Sequence, residues 1–487
     1  MQNESRRQVL RPGAGAKRLY LIATAFVILL AALVVMLPER YIILMAVLAI
    51  GLPLLSMVTT DSSSRRIGVI LLLAFVPLTG VVKAVTGNRF APLTFDIGIL
   101  LACAFQWIDD LRRTKTRLGL LDLLLGLFFA LAFLQMFNSN VPSLQAGIEG
   151  FRKFAFMAIA FYVGRHIVRA RDLHLFQALV VSLSILVSVY GIKQFFFMSA
   201  LDYRMIDLAT VSSVTILWGG QVRPFSTLPG PFHLGLYLVV AILLGIQLLL
   251  HKHTKQALRW FVSIALGLQL ITLFMTRTKS NWVGLMVGIV ILVFLQTGSL
   301  AKSISRSIGL TLVGASMIAL SLAISSGTSA KVLQEALWDV SNPLGAVTFQ
   351  YRLQLWEAVI PAALAKLLTG YGTSSAGEGL GNLYEATSSL YFASHDLYLK
   401  VLLEMGLAGL SLFLLIVGKS LNRGWKSLRK LDPSQGDQAR LLQWSLAVVM
   451  SFLVAGLAYP VLDAYPVNYY FWLLLGVLSR GIGGNAA

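Results

Sequence analysis

Four short stretches of the chain set a cationic or imidazole side chain beside glycine, proline or aromatic residues. Arg223-Pro224-Phe225-Ser226-Thr227 runs up to Pro229-Gly230-Pro231, and Thr276-Arg277-Thr278-Lys279-Ser280 follows farther along. Tyr351-Arg352-Leu353-Gln354-Leu355-Trp356 and Ser394-His395-Asp396-Leu397-Tyr398 complete the set. Other chemistries are poorly supplied. The single cysteine, Cys103, lies in an apolar stretch, so neither a disulfide nor a thiolate metal site is expected. His251 and His253 flank Lys252 without a carboxylate, a pattern of solvated histidines rather than metal ligands. Gly370-Tyr371-Gly372 is not followed by Gly-Lys-Ser/Thr, and Gly377, Gly379 and Gly381 give no dinucleotide fingerprint, so a nucleotide-driven pump is not expected. The acidic residues within apolar stretches, Asp96, Asp122, Glu404 and Asp463, are dispersed, which argues against ion coupling.

The elements that must position these residues are membrane spans. Of 487 residues 57% are hydrophobic and only 13% charged, where a soluble chain carries about 25% charged residues. Crossing a hydrocarbon core of about 30 Å takes roughly 20 apolar residues as helix, and mean hydropathy of +0.77 reflects such stretches along the whole length. The expected fold is all-α, a polytopic bundle of about fourteen transmembrane helices, with twelve or thirteen as the lower count. The spans fall near 19–37, 41–58, 67–83, 93–108, 120–137, 151–168, 174–198, 231–250, 258–275, 281–297, 305–325, 395–418, 441–459 and 466–482. Gly284 and Gly288 form a Gly-x-x-x-Gly, a signature of close helix packing. No cleavable leader is expected ahead of the first span.

Threading the spans with a cytoplasmic N-terminus places most of the 40 basic residues on the cytoplasmic side, as the positive-inside rule requires. Arg65, Arg66, Arg112, Arg113, Arg169, Arg171, Arg423, Lys426, Arg440 and Arg480 are among them. The net charge of +19 therefore reports topology, and scattered over short loops it does not suggest nucleic-acid binding. The expected organisation is a basic tail (1–18), an N-terminal bundle (19–198), a central membrane region (199–325) with an outer loop at 199–230, an outer loop subdomain (326–394) and C-terminal spans (395–487). Both termini are then cytoplasmic. Within the large loop Ser341-Asn342-Pro343 marks a turn and Leu353 to Leu368 reads as helix.

The order and context of the four basic stretches resemble the O-antigen ligase and O-antigen polymerase superfamily, chiefly over residues 220–410. The pattern is carried by Arg223 before a proline-containing helix start, by Thr276-Arg277, and by Arg352 with Trp356 in the long loop. Gly370 and Gly372 follow, then His395, Tyr398, Glu404 and Gly406. Asp396 stands where the family often has asparagine, and Lys279 and Asn281 where it tends to have small residues.

The resemblance implies a bacterial inner-membrane glycosyltransferase working at the periplasmic face. It would move a glycan from an undecaprenyl diphosphate carrier to an acceptor hydroxyl, with neither metal nor other cofactor. A polysaccharide flippase and a chain-length regulator are the implied protein partners. Arg223 and Arg352 are then candidate catalytic residues with His395, because guanidinium matches diphosphate oxygens and meets the charge growing on the leaving group. A histidine, ordinarily titrating near pH 6.5, suits a general base. Arg277, Trp356 and Tyr398 are candidate substrate-binding residues. A polymerase of O-antigen, capsule or exopolysaccharide is favoured over a ligase to lipid A core. An exporter of lipid-linked repeats is the other class; it calls for buried cations lining a cavity, and Lys193 is almost the only candidate in the sequence.

Overall fold

The computed structural model describes residues 62–87, 92–112, 119–208, 217–218, 221–251, 254–297, 347–376, 394–431 and 436–480. The expected spans at 19–37, 41–58 and 305–325, and the turn at 341–343, lie outside the described residues.

Helices α1 (Ser62–Ala74) and α2 (Thr79–Thr86) make up the expected 67–83 segment, broken by a 3-10 turn carrying Pro77 and bent by 49°. Next come α3 (Leu93–Arg112) and α4 (Leu120–Gln135). The expected continuous span at 151–168 is instead α5 (Leu144–Phe154), a 3-10 turn (Phe156–Ile159) and α6 (Ala160–His166). The break falls just past Glu149, Arg152 and Lys153, which are drawn into ion pairs: Arg152 with Asp96 at 2.9 Å and Lys153 with Glu149 at 3.6 Å. Helices α7 (Leu173–Phe196) and α8 (Ala200–Asp207) lead to a two-residue antiparallel pair, β1 (Leu217–Trp218) with β2 (Gln221–Val222). This pair is a small departure from the all-α expectation. The chain continues as α9 (Pro231–Leu250), α10 (Gln256–Met275) and α11 (Lys279–Thr297). Then follow α12 (Val347–Ala365), which starts earlier than expected, α13 (Leu397–Lys430), α14 (Gly436–Ala455) and α15 (Asn468–Ser479).

Among the described residues six helices are long and apolar enough to cross a membrane, or seven if the bent α1 and α2 count as one span. The protein is a multi-pass membrane protein. Every residue of α9 from Pro231 to Leu248 is buried, so a helix apolar all round sits at the centre of the bundle. Around it pack α10, α11, α14 and α7. Gly284 and Gly288 of α11 let that helix close on α14, since a Cβ at Gly284 would lie 2.6 Å from the Ser451 carbonyl.

Several basic residues expected on the cytoplasmic side are bonded to neighbouring elements. Arg66 pairs with Asp172 at 2.9 Å, Arg480 donates to the Val168 carbonyl at 2.6 Å, and Arg423 donates to the Ser479 carbonyl at 3.4 Å. The loops with the candidate residues meet elsewhere: Gly80 N donates to Thr227 O at 2.8 Å and Leu397 N to Gly456 O at 2.7 Å.

Helix α13 is kinked at Gly406, whose φ of 66° and ψ of −170° interrupt the helical ladder. Backbone groups around the kink bond instead to the turn after α12: Leu407 N donates to Leu367 O, and Leu403 O and Glu404 O accept from Tyr371 N and Gly372 N. Gly370 and Gly372 also have positive φ, and a Cβ at Gly370 would lie 2.6 Å from the Glu404 carbonyl. The Gly-x-Gly and Glu-x-Gly pieces are thus one backbone junction. Gly406→Ala should lower stability by roughly 2 kcal/mol, from left-handed strain and contact with the Leu368 carbonyl. The check is the thermal midpoint in detergent; an unchanged midpoint would contradict this account of the kink.

Candidate active site

The first half of the site is built on the starts of α9 and α11. Arg223, half-buried, donates from Nε to the Thr276 carbonyl at 3.0 Å, tying the stretch before α9 to the turn between α10 and α11. That turn carries Arg277 with φ 52°, a left-handed conformation rare outside glycine. It is braced by the Thr276 and Thr278 hydroxyls at 2.8 Å and by Asn281, whose Nδ2 donates to Phe232 O at 3.1 Å and Thr278 Oγ1 at 3.0 Å. Asn281, which departs from the family pattern, therefore staples α11 to the start of α9. Two guanidinium-bearing segments are brought together in this way.

The second half is built on α12 and the start of α13. Arg352 and Trp356 stand four residues apart on α12, and the Trp356 indole donates to the Ser394 carbonyl at 3.0 Å. His395 follows with φ 44°, its ring 6.1 Å from that of Tyr351 in an edge-on arrangement. Asp396 caps α13, its carboxylate accepting from Leu399 N at 2.7 Å, while burial raises its pKa above the usual carboxylate value. The aspartate replacing the family's asparagine thus keeps a capping role. The Tyr398 hydroxyl donates to Leu453 O at 3.0 Å, so it fixes α13 to α14.

The halves are joined through α14 and the turn after it. Leu397 N bonds to Gly456 O, and the Tyr459 ring stacks on Phe232 at the start of α9 with centroids 3.3 Å apart. Among the described residues the non-glycine positions with positive φ are Ser226, Arg277, Ser374 and His395. Each costs about 1 to 3 kcal/mol, a strain characteristic of functional sites. Two are candidate site residues and Ser226 lies three residues from a third.

Sequence reasoning passed over the charges beneath this surface. Glu404 and Asp463 are far apart in the chain, but they meet at Lys400, whose ammonium lies 2.6 Å from Glu404 Oε1, 3.1 Å from Asp463 Oδ1 and 2.6 Å from Ala376 O. Asp96 joins Arg152 and accepts from the Tyr465 and Tyr469 hydroxyls at 3.0 and 2.7 Å. The expectation that these acids are dispersed is corrected: Asp96, Glu404 and Asp463 belong to buried ion-pair clusters. The signal was present in the i, i+4 spacing of Lys400 and Glu404 within an apolar helix. Lys193 likewise is paired, with Asp202 and with Ser199 Oγ at 2.8 Å. Gln194, also overlooked, is buried and bonds the backbone beside Arg223. Among the described residues no three or more His, Cys, Asp or Glu side chains cluster as metal ligands would.

Residues 264–414 match the model of a protein family described as O-antigen ligase. This supports the O-antigen ligase and polymerase superfamily that the motifs resemble, and points to a membrane glycosyltransferase of that kind. The matched segment contains Arg277, Arg352, Trp356, His395 and Tyr398; Arg223 precedes it. No curated protein matches the chain.

Because the Trp356 indole holds the carbonyl preceding His395, Trp356→Phe should keep the ring's packing and lose the bond. We expect glycan transfer to fall about tenfold with membrane insertion unaffected, as a misplaced catalytic group predicts. Full activity in Trp356→Phe would show that this bond does not set the histidine.

Proposed function

We propose that the protein transfers a glycan from undecaprenyl diphosphate to a sugar hydroxyl, most simply as a polymerase of O-antigen, capsule or exopolysaccharide. The observation that carries this reading is the Arg223 bond to the Thr276–Arg277 turn, which sets two cationic segments side by side next to the start of α9. A lipid-linked diphosphate is a multiply charged anion at the membrane surface. Fixed guanidinium groups favour it, and favour more strongly the charge it gains as the glycosidic bond breaks.

In this mechanism the acceptor hydroxyl oxygen attacks the anomeric carbon and its proton passes to the His395 imidazole. The bond from that carbon to the diphosphate oxygen breaks, and undecaprenyl diphosphate leaves with the bonding electrons. Arg223 and Arg277 hold the diphosphate, and Arg352, on the helix that also bears Trp356, serves the reacting end. The positive φ at Arg277 and at His395 supports this reading, since strained backbone of this kind is characteristic of functional sites.

A second reading, a ligase transferring the glycan to lipid A core, is favoured by the description of the matched family. The exporter reading calls for buried cations: Lys193 is not almost alone, since Lys400 is buried and Arg152 partly buried, and each of the three is held in an ion pair. Flippase and chain-length regulator partners follow from the polymerase reading.

The test is transfer by purified protein in detergent with undecaprenyl diphosphate-linked repeats as sole substrate. Wild type should lengthen the chains, and Arg352→Ala and His395→Ala should lose at least about 100-fold while inserting normally. Product only after lipid A core is supplied would make it a ligase; no product with any acceptor would overturn the transferase. Activity should also survive EDTA, and loss with rescue by a divalent cation would overturn the metal-free mechanism.

A further inference from the structure

We propose that Gln194 is the positioning residue for Arg223: its buried side-chain amide, oriented by Asp202, locks the turn that aims the guanidinium at the donor diphosphate. This rests on the reading of Arg223 given above and extends it to residues outside the matched family segment.

Gln194 lies near the end of α7 with no exposed surface. Its Oε1 accepts from Ser226 N at 2.6 Å and Phe225 N at 3.2 Å. Its Nε2 donates to Ser226 O at 2.9 Å and to Asp202 Oδ1 at 2.8 Å. Both lone pairs and both N–H groups of the amide are engaged, which is its full capacity. A carboxylate can only accept from the amide and a backbone N–H can only donate to it, so the side chain has one permitted orientation.

Asp202 is in turn fixed from every side. It accepts from Lys193 Nζ, from Tyr190 OH at 2.8 Å, and from Ser199 N and Oγ at 2.6 and 2.7 Å. Burial works to raise its pKa, but hydrogen bonds from Lys193, Gln194 and Ser199 outweigh it and hold Asp202 below the usual value. The carboxylate therefore stays charged, and so stays an acceptor for the amide.

The clamped turn is itself strained and tied down. Ser226 has φ 55°, its Oγ donates to Val187 O at 2.6 Å, and Thr227 Oγ1 donates to Pro77 O at 2.7 Å. Arg223 stands two residues before Phe225, with its Nε on Thr276 O. Three of the amide's four hydrogen bonds go to the backbone of Phe225 and Ser226, so Gln194 fixes the turn beside Arg223 rather than only joining two helices.

The test uses the full-length protein in detergent with undecaprenyl diphosphate-linked repeats, and reads kcat, donor KM and hydrogen exchange of the 223–230 amides. Gln194→Leu should speed exchange at 225 and 226 and lower kcat about 100-fold, with donor KM moving less than about threefold. In an Arg223→Ala background it should add nothing, because the residue it positions is gone. Multiplying losses would overturn the proposal, as would wild-type kcat in Gln194→Leu.

Gln194→Glu sets carboxylate against carboxylate and should be inactive. Adding Asp202→Asn restores a donor facing an acceptor and should recover at least about tenfold, which also separates positioning from misfolding. No recovery in a well-folded double variant would count against the proposal. If Arg223→Ala were itself fully active, the diphosphate reading of Arg223 would fail and this role with it. Fast exchange in Gln194→Leu would then show the clamp to be structural only.

Discussion

Inside a bilayer, a backbone group that leaves its helix must find another partner within the protein, and that constraint shapes the site. At Gly406 the carbonyls of Leu403 and Glu404 drop out of the α13 ladder, and the 370–372 turn supplies the N–H groups they lack. The turn is held further by Glu404, whose carboxylate accepts from Ser374 N at 3.1 Å and Ala376 N at 3.3 Å. The loop following α12 and the helix that begins beside His395 are therefore one bonded unit. Without the kink the loop would lose these bonds, leaving α12 held to α13 by the packing of Val359 and Ala363 with Leu403 and by the Trp356 bond to Ser394.

Charge obeys the same rule more strictly. Lys400, Glu404 and Asp463 lie with 3% or less exposed side chain in the first two and 8% in the third. Removing Lys400 would leave two carboxylates without their shared cation in apolar surroundings, a strongly destabilising change. Lys193 and Asp202 repeat this logic near the other half of the site, where the pair orients an amide instead of a loop. Both clusters serve backbone geometry near a strained residue.

Much of this was legible in the sequence where hydropathy or residue type alone decides. The helices α9, α10 and α11 begin and end close to their expected bounds, because Pro231, the polar stretch at 251–255 and the Thr276–Ser280 turn punctuate long apolar runs. The break between α5 and α6 was hidden, since averaging over 151–168 dilutes Arg152 and Lys153 and says nothing of Asp96 across the bundle. The motif residues could be picked out by type, but not the positive φ at Arg277 and His395, which no local pattern announces. Gln194 read as one polar residue in an apolar span. Its meaning depends on Asp202 and Ser226, which the fold alone brings to it.

The glycine face of α11 couples the two halves of the site mechanically. Gly284 lets α11 approach the Ser451 carbonyl of α14, and Gly288 leaves room for the Ser451 hydroxyl and for Leu243 of α9, so the helices pack closely through small groups. Arg277 stands just ahead of α11, and α14 grips the start of α13 through Leu453 and leads into Gly456. The seam therefore ties the segment just after Arg277 to the same helix whose end holds Leu397, two residues past His395, so neither segment can shift along the bundle without the other.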